Sequence, residues 1–181
     1  MPADVRPLDL AQPVNSTDHV LGPAHAGVTV IEFGDFECPN CKQAAPVVKL
    51  LLKDFGDNLR FGFRHFPLEE VHPHALDAAQ AAECAAAQGK FWPMHDLLFE
   101  HQHSLKLHQL QGYAGSLELD MARFAAEMKD TVYLQRIREH QASGHASGVA
   151  RTPTFFLNGR ILDVSFGLRT LFDEVEKALA R

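Results

Sequence analysis

The feature that most constrains this chain is the tetrapeptide CPNC, residues 38–41, which separates a predicted strand from a predicted helix. Residues 28–33 (VTVIEF) form a short β-branched, apolar run of the kind found in buried strands. After the tetrapeptide, apolar residues recur at the spacing of one helix face until Gly56, and glycine commonly ends helices. The sequence therefore predicts a strand, a turn that carries two cysteines, and a helix that begins at the first of them.

This placement favours redox chemistry at Cys38 and Cys41. The unpaired N–H groups and the dipole at a helix N-terminus stabilise an anion, and the thiolate is the nucleophilic form of cysteine. Pro39 suits the first helical position, where its missing N–H costs nothing, and Asn40 completes the motif. Cys41, one turn along, can close a disulfide with Cys38 and so release a mixed disulfide.

The cysteine pair could also belong to a zinc site or be purely structural. A C-x-x-C pair is half of a common zinc ligand set, but the chain has no second pair. The histidine pairs His72/His74 and His101/His103 lie in a different segment. Two purely structural thiols would seldom fall at a helix start. We therefore predict no metal site, and we interpret the third cysteine, Cys84, as a buried small hydrophobe.

The rest of the chain predicts an α/β fold with a long helical excursion. Residues 59–66 alternate as a strand, so strand, helix and strand form a βαβ unit with a parallel crossover. Asn158-Gly159 indicates a tight antiparallel hairpin, and the apolar pattern over 168–179 marks a closing C-terminal helix. Between these parts, residues 67–151 are predicted to hold roughly four or five helices. The clearest helical stretches there are 74–88, 93–102, 120–129 and 131–141.

Composition and charge exclude several classes of protein. A content of 46% hydrophobic and 22% charged residues suits a folded globular domain. The formal charge of −6 provides no basic surface for nucleic acid or for an anionic membrane. No apolar run approaches the about 18 residues of a membrane span. The N-terminal residues lack the basic start and apolar core of a secretory signal, so we expect a cytoplasmic protein, or a periplasmic one whose leader was removed.

Four features together resemble the thioredoxin superfamily, and within it the DsbA-like branch that carries a helical insertion. They are the strand that leads into CPNC, Pro46 five residues after Cys41, the segment RTPTFFLNG (151–159) and the long helical excursion. The resemblance spans about residues 16–180 and implies a thioredoxin-like fold. It divides the chain into an N-terminal extension (1–15), a thioredoxin-like domain (16–66 and 152–181) and an inserted helical subdomain (67–151).

The resemblance also implies roles for the residues of the motif. Cys38 would be the nucleophile and Cys41 the resolving cysteine. Thr152 and Pro153 would form a cis-proline loop that packs against the cysteine pair and offers backbone hydrogen bonds to an extended substrate segment. No cofactor is implied.

Further roles fall to an acid and to aromatic residues. Glu32, six residues before Cys38, matches a buried acid that exchanges a proton with the resolving cysteine. The resemblance also implies an apolar surface for unfolded or extended substrates. Phe36 is a candidate to line that surface, together with one of Phe155 and Phe156, which alternate along a predicted strand.

The predicted activity is dithiol–disulfide exchange with protein substrates, after which an unidentified redox partner recycles the cysteine pair. Pro39-Asn40 matches neither the Pro-His of strong oxidants nor the Gly-Pro of reductants, so the direction stays open, although we favour an oxidant or isomerase. The alternative is a module that senses redox state or docks a partner without turnover. An enzyme for a small molecule fits less well, because such members usually need only one nucleophilic cysteine.

Overall fold

The computed structural model of this chain describes residues 10–181, and its centre is a five-stranded mixed sheet. The order of strands across the sheet is β1-β3-β2-β4-β5, in which β2 and β3 run parallel and the other neighbouring pairs run antiparallel. This arrangement confirms the predicted thioredoxin-like α/β fold, with its βαβ unit and later hairpin. The strands are β1 (His19–Leu21), β2 (Val28–Gly34), β3 (Leu59–His65), β4 (Thr154–Leu157) and β5 (Arg160–Leu162).

Helices surround the sheet. Within the described residues they are α1 (Pro39–Phe55), α2 (Ala75–Ala86), α3 (Phe91–Glu100), α4 (Leu107–Ser116), α5 (Met121–Lys129), α6 (Leu134–Ala146) and α7 (Arg169–Leu179). Helices α2 to α6 lie between β3 and β4, inside the segment predicted as a helical insertion. The domain boundaries themselves stay a prediction, and residues 1–9 of the predicted N-terminal extension lie outside the described residues.

Two elements were not predicted from the sequence. Strand β1 has three residues, too few for a recognisable alternation. Helix α4 contains Gly112 and Gly115, which weaken a helix, and buries only Leu110 and Ala114 completely. Packing against α2, α3 and α5 stabilises α4, which is the usual source of stability for a short helix with poor intrinsic propensity.

The sheet topology brings two distant segments together at one edge. The CPNC turn follows the carboxyl end of β2, and Phe33 near that end pairs with Thr154 at the start of β4. Because β4 runs antiparallel to β2, the residues just before β4 lie beside the turn. The same topology buries β2 between β3 and β4, so a polar side chain on β2 is held away from water.

Candidate active site

Cys38 lies at the start of α1, where its backbone is extended (φ −76°, ψ 122°) and Pro39 is the first helical residue. Its carbonyl accepts a hydrogen bond from the N–H of Lys42 at 3.2 Å. Cys41 lies in the first turn and is fully buried, whereas the exposed fraction of Cys38 is 5%. Pro39 and Asn40 are exposed. The turn thus has one sulfur near the surface and an enclosed second sulfur behind it.

The two cysteines ionise very differently. A hydrogen bond from the Cys41 thiol is the main cause that lowers the pKa of Cys38 to about 5; burial opposes it, and contacts with Thr152 and nearby backbone N–H groups add to it. For Cys41, burial, its hydrogen bond to Cys38 and the negative charges of Glu32 and Cys38 raise the pKa well above that of an ordinary thiol. At neutral pH the reduced pair therefore consists of one thiolate and one thiol.

We expect ultraviolet titration of the reduced protein to show a thiolate step near pH 5. Cys38 accounts for this step, because burial, aided by the charges of Glu127 and Glu83, raises the pKa of Cys84 to about 12 and that of Cys41 is raised as well. A Cys38→Ser variant should lose the step. A midpoint near that of an ordinary cysteine, about 8.5, would contradict the activated thiolate.

The loop before β4 brings Thr152 and Pro153 against Cys38. The Thr152–Pro153 peptide bond is cis. The Cys38 Sγ lies 3.3 Å from the Thr152 carbonyl oxygen, a contact in which the thiol form donates. The Thr152 side chain is buried beside the same sulfur. Sulfur and loop are therefore direct neighbours, as the resemblance implies.

A groove of about 630 Å³ opens beside this loop. Its walls come from α1, from the loop itself and from the segment between β5 and α7, and they include Asn40, Arg151 and Asp163. Phe166, which lies between two residues of that wall, is 94% exposed. The apolar pattern of the sequence could not identify Phe166, because it does not distinguish an exposed ring from a buried one.

Glu32 occupies the buried central strand, as predicted. Its exposed fraction is 2%, and its Oε1 has no hydrogen-bond partner among the described residues. Burial first, and the negative charge on Cys38 second, raise the pKa of this carboxyl to about 8. Glu32 therefore holds a proton at neutral pH, close enough to the cysteines for its charge to raise the pKa of Cys41.

The prediction that Phe36 lines a substrate surface is wrong. Its exposed fraction is 1%, and its ring centre lies 5.3 Å from that of Phe63 and 5.0 Å from that of Phe99. Phe155 and Phe156 are also fully buried, in two different hydrophobic clusters. Alternation along β4 sends these two rings to opposite faces of the sheet, and helices cover both faces.

Asp35, a buried acid within the turn, was not predicted from the sequence. Its carboxylate accepts hydrogen bonds from the backbone N–H groups of Glu37 (2.7 Å) and Leu68 (2.9 Å), and it lies 2.7 Å from Nδ1 of His72. Its own backbone N–H lies 3.5 Å from the Cys41 sulfur. Asp35 thereby connects the turn to the segment after β3 and places a backbone N–H donor beside the sulfur of Cys41. No local pattern in the sequence identifies Asp35, because its contacts with Leu68 and His72 join residues that are more than 30 positions apart.

Gln102, in the connection between α3 and α4, was also missed. Its buried side-chain amide donates to the carbonyl oxygens of Phe36 (3.0 Å) and Cys38 (2.8 Å). The helical segment therefore contacts the CPNC turn directly and donates hydrogen bonds to two carbonyl groups, those of Phe36 and Cys38. No local pattern in the sequence connects residue 102 with the turn, because the contact depends on the packing of the insertion.

A possible metal-binding geometry occurs away from the cysteines. Nε2 of His19, Nε2 of His65 and a carboxylate oxygen of Glu83 lie within 4.8 Å of one another. However, both imidazoles are already hydrogen-bonded to the same Glu83 oxygen, at 2.7 and 2.8 Å, and Arg136 pairs with the other oxygen. One carboxylate and one guanidinium balance each other there, so an added cation would leave a buried excess charge, although Nδ1 of His65 has no hydrogen-bond partner among the described residues.

Comparison with known proteins agrees with this geometry. A family model described as Thioredoxin matches residues 14–177. Among solved structures, BdbD from Bacillus subtilis superposes with a TM-score of 0.85 at 24% identity, covering 97% of this chain and 100% of that one. A thioredoxin-like oxidoreductase from Silicibacter pomeroyi gives a TM-score of 0.80 at 26% identity, covering 92% and 95%.

The similar curated proteins are much longer than this chain. A protein from Salinispora arenicola named Na(+)/H(+) antiporter NhaA 1 is 49% identical over 96% of this chain, but the match covers 26% of that protein. An antiporter NhaA from Herminiimonas arsenicoxydans is 43% identical over 91% of this chain, again with 26% of its own length covered. The chain thus spans about a quarter of these relatives. Within residues 10–181, no helix has both the length and the apolarity needed to cross a bilayer.

Proposed function

The chain belongs to the thioredoxin family, and on that premise we propose that it is a thiol–disulfide oxidoreductase that exchanges the Cys38–Cys41 pair with protein substrates. The observation that carries this proposal is the asymmetry of the two cysteines. Cys38, at the helix start and beside the groove, has a pKa lowered to about 5, whereas burial keeps Cys41 a thiol. An attacking thiolate and a protected resolving thiol are what sequential disulfide exchange needs.

In the reducing direction, the Cys38 thiolate attacks one sulfur of a substrate disulfide, and the other substrate sulfur leaves as a thiolate. In the mixed disulfide Cys38 carries no charge, which removes one cause of the raised Glu32 pKa and favours ionisation of Glu32. The ionised Glu32 carboxylate then accepts the proton of Cys41, and the Cys41 sulfur attacks the Cys38 sulfur of the mixed disulfide. The Cys38–Cys41 bond forms, the second substrate thiolate leaves, and two electrons have passed to the substrate. In the oxidising direction every step runs in reverse, so Cys41 leaves as a thiolate and receives a proton from Glu32.

The groove beside Thr152 and Pro153 supports a polypeptide as the substrate. Its volume of about 630 Å³ adjoins the loop that contacts Cys38, so a chain bound there would present a sulfur to the nucleophile. Backbone groups of such a loop can pair with an extended peptide. Phe166, 94% exposed at the groove, would contact an apolar side chain of that peptide.

The low pKa of Cys38 favours the oxidising direction. A stabilised thiolate lowers the free energy of the reduced form and so makes the disulfide a better oxidant. A pKa of about 5 lies between the values of roughly 7 for thioredoxin and 3.5 for DsbA. We therefore infer a reduction potential between about −270 and −120 mV, the values of those two proteins. A glutathione redox titration measures it directly, and an unidentified partner would then reoxidise the pair.

Of the two locations considered from the sequence, we favour the extracytoplasmic one. An oxidant of protein thiols operates where disulfides persist, outside the reducing cytoplasm. One structure of similar fold, with a TM-score of 0.72, is that of a periplasmic thioredoxin-like protein from Salmonella enterica. The cytoplasmic alternative has no such support.

Replacing Cys41 with serine tests the exchange on proteins. We expect Cys41→Ser to accumulate mixed disulfides with cellular proteins, because Cys38 still attacks but no resolving thiol releases the product. Non-reducing gels followed by mass spectrometry would detect these species. A Cys84→Ser variant is the control and should trap nothing, since Cys84 is fully buried on α2. If Cys41→Ser trapped no protein and the unmodified chain failed to reduce insulin, the redox-sensing alternative would replace this proposal.

A further inference from the structure

Asp35, the first residue after β2, contacts both cysteines of the CPNC turn. Its backbone carbonyl accepts a hydrogen bond from the N–H of Cys38 at 3.1 Å, and its backbone N–H lies 3.5 Å from the sulfur of Cys41. Its carboxylate closes the same turn through Oδ1, which accepts from the N–H of Glu37 at 2.7 Å. One residue therefore fixes the backbone of the nucleophile and places a donor at the second sulfur.

The carboxylate that anchors this residue is completely buried. The exposed fraction of the Asp35 side chain is 0%. A buried carboxylate is stable only where donors surround it, and Asp35 has three among the described residues. The N–H of Glu37 donates to Oδ1, while the N–H of Leu68 and Nδ1 of His72 donate to Oδ2, at 2.9 and 2.7 Å. Together these donors restrain the side chain, and with it the backbone N–H of the same residue.

His72 reaches the carboxylate because of the way the chain leaves β3. The N–H of Phe66 donates to the carbonyl oxygen of Gly34 at 2.8 Å, which holds the start of the connecting segment beside the end of β2. A turn then begins at Leu68, whose carbonyl oxygen accepts from the N–H of His72 at 2.8 Å. The His72 side chain is 19% exposed, so the imidazole connects the buried carboxylate with the surface of the protein.

The N–H of Asp35 lies where negative charge develops in the exchange reaction. When Cys41 resolves a mixed disulfide, its sulfur attacks as a thiolate, and in the oxidising direction the same sulfur leaves as one. Burial is the main cause that raises the pKa of Cys41, Cys38 and Glu32 add to it, and the backbone N–H of Asp35 opposes them. A fixed donor at a developing charge lowers the activation barrier, provided that it is in place before the reaction.

We propose that the Asp35 carboxylate and His72 are positioning residues for the chemistry at Cys41. They hold the Asp35 N–H at the Cys41 sulfur, and this donor stabilises the charge on the sulfur while the Cys38–Cys41 bond forms or breaks. As that bond forms, the electron pair of the bond between Cys38 and the substrate leaves with the substrate sulfur; as it breaks, the pair stays on Cys41. This inference rests on the exchange reaction proposed above and adds residues that act on its second step.

Positioning and plain electrostatics predict opposite effects of removing the carboxylate. A negative charge near Cys41 opposes ionisation of this thiol, as the charge of Glu32 does. If charge alone mattered, Asp35→Asn would speed the attack of Cys41. If the carboxylate holds the N–H in place, Asp35→Asn slows the attack, because one arm of the amide is a donor and cannot replace an acceptor oxygen.

A single turnover with a disulfide-bonded peptide separates the two steps of exchange. The mixed disulfide forms through Cys38 and decays through Cys41, and acid quenching measures both rates. For Asp35→Asn we expect the decay to slow roughly 10-fold, the weaker end of the range for a hydrogen bond to a charged group, with formation unchanged. Opening of the oxidised Cys38–Cys41 pair by glutathione should slow by the same factor, so the reduction potential should stay the same. General loosening of the turn would change the formation rate and the potential as well.

His72 variants test the other half of the pair while Asp35 stays in place. His72→Leu removes the donor to Oδ2 and should slow the decay about 3-fold, the effect of one ordinary hydrogen bond. His72→Asn should keep the unmodified rate, because the amide nitrogen of asparagine occupies the position of Nδ1. His74→Leu is the matched control and should also keep it, since His74 contacts the turn through its backbone N–H, 2.7 Å from Oε2 of Glu37. His72 is partly exposed, so these variants are expected to fold even if Asp35→Asn does not.

Two results would overturn the positioning role. Equal decay rates in His72→Leu and the unmodified protein, or faster decay in Asp35→Asn, would show that the pair does not hold the donor in place. Equal slowing of formation and decay would assign the pair a structural role alone. If the unmodified protein forms no mixed disulfide with the peptide, the exchange function itself is wrong.

Discussion

Replacing Cys38 with serine is expected to reduce the catalysed rate of insulin reduction, and of refolding of a scrambled disulfide protein, to the rate in buffer alone. A serine hydroxyl does not ionise near neutral pH and cannot form a disulfide. Cys41 cannot substitute for the lost nucleophile, because it is fully buried and its pKa is raised. Both assays measure turnover directly, so we expect complete loss of the catalysed rate in each of them.

Cys84→Ser is the matched control for this loss. Cys84 is also a buried cysteine, but it lies on α2 and its pKa is raised to about 12, chiefly by burial, so it has no thiolate at neutral pH. We expect full activity in this variant, with a modest fall in the free energy of unfolding from the buried hydroxyl. Substantial turnover by Cys38→Ser, or its loss in Cys84→Ser, would show that the CPNC pair is not the reactive centre.

The parts of the site that could be predicted from sequence are those that depend on local structure. A strand followed by CPNC and an amphipathic helix places Cys38 at a helix start, whatever surrounds it. The turn at Asn158-Gly159 was predicted for a similar reason: both residues adopt positive φ, 48° and 81°, which this dipeptide tolerates. Glu32 was placed on a buried strand by the apolar residues on either side of it.

The parts that could not be predicted depend on how the helical insertion packs. Gln102 reaches the active-site turn, and His95 reaches a small cavity beside Glu32, from a segment more than 50 residues along the chain. Phe36 was assigned to the surface because the family resemblance implies an apolar surface around the motif, but the insertion covers this side chain. An apolar pattern identifies the face that each helix buries, but it does not identify the element that this face contacts. These contacts could therefore be known only from the structure.

Replacing Glu32 with glutamine is expected to change the pH dependence of stability of the reduced protein. The pKa of Glu32 is raised from 4.5 to about 8 in the folded protein, so the folded state retains a proton that the unfolded chain loses. Stability is therefore lost as the pH rises from 4.5 to 8, by about 1.4 kcal/mol per pH unit. Glutamine does not titrate. Relative to its value at pH 4.5, the free energy of unfolding of Glu32→Gln should exceed that of the unmodified protein by about 3 kcal/mol at pH 7, measured by urea denaturation.

Glu69→Gln provides a control with the opposite sign. Glu69 pairs with Arg138 on the surface, and that hydrogen bond lowers the pKa of Glu69. The contribution of this pair to the free energy of unfolding is therefore lost as the pH falls, and it should be small because both side chains are exposed. If the free energy of unfolding of Glu32→Gln had the same pH dependence as that of the unmodified protein, Glu32 would be an ordinary ionised carboxylate. The proposal that Glu32 takes part in proton transfer would then be wrong. The same variant should resolve mixed disulfides more slowly, because a glutamine amide cannot accept the Cys41 proton. A gain in stability together with a loss of rate would show that burial of this acid costs folding free energy and serves the exchange reaction.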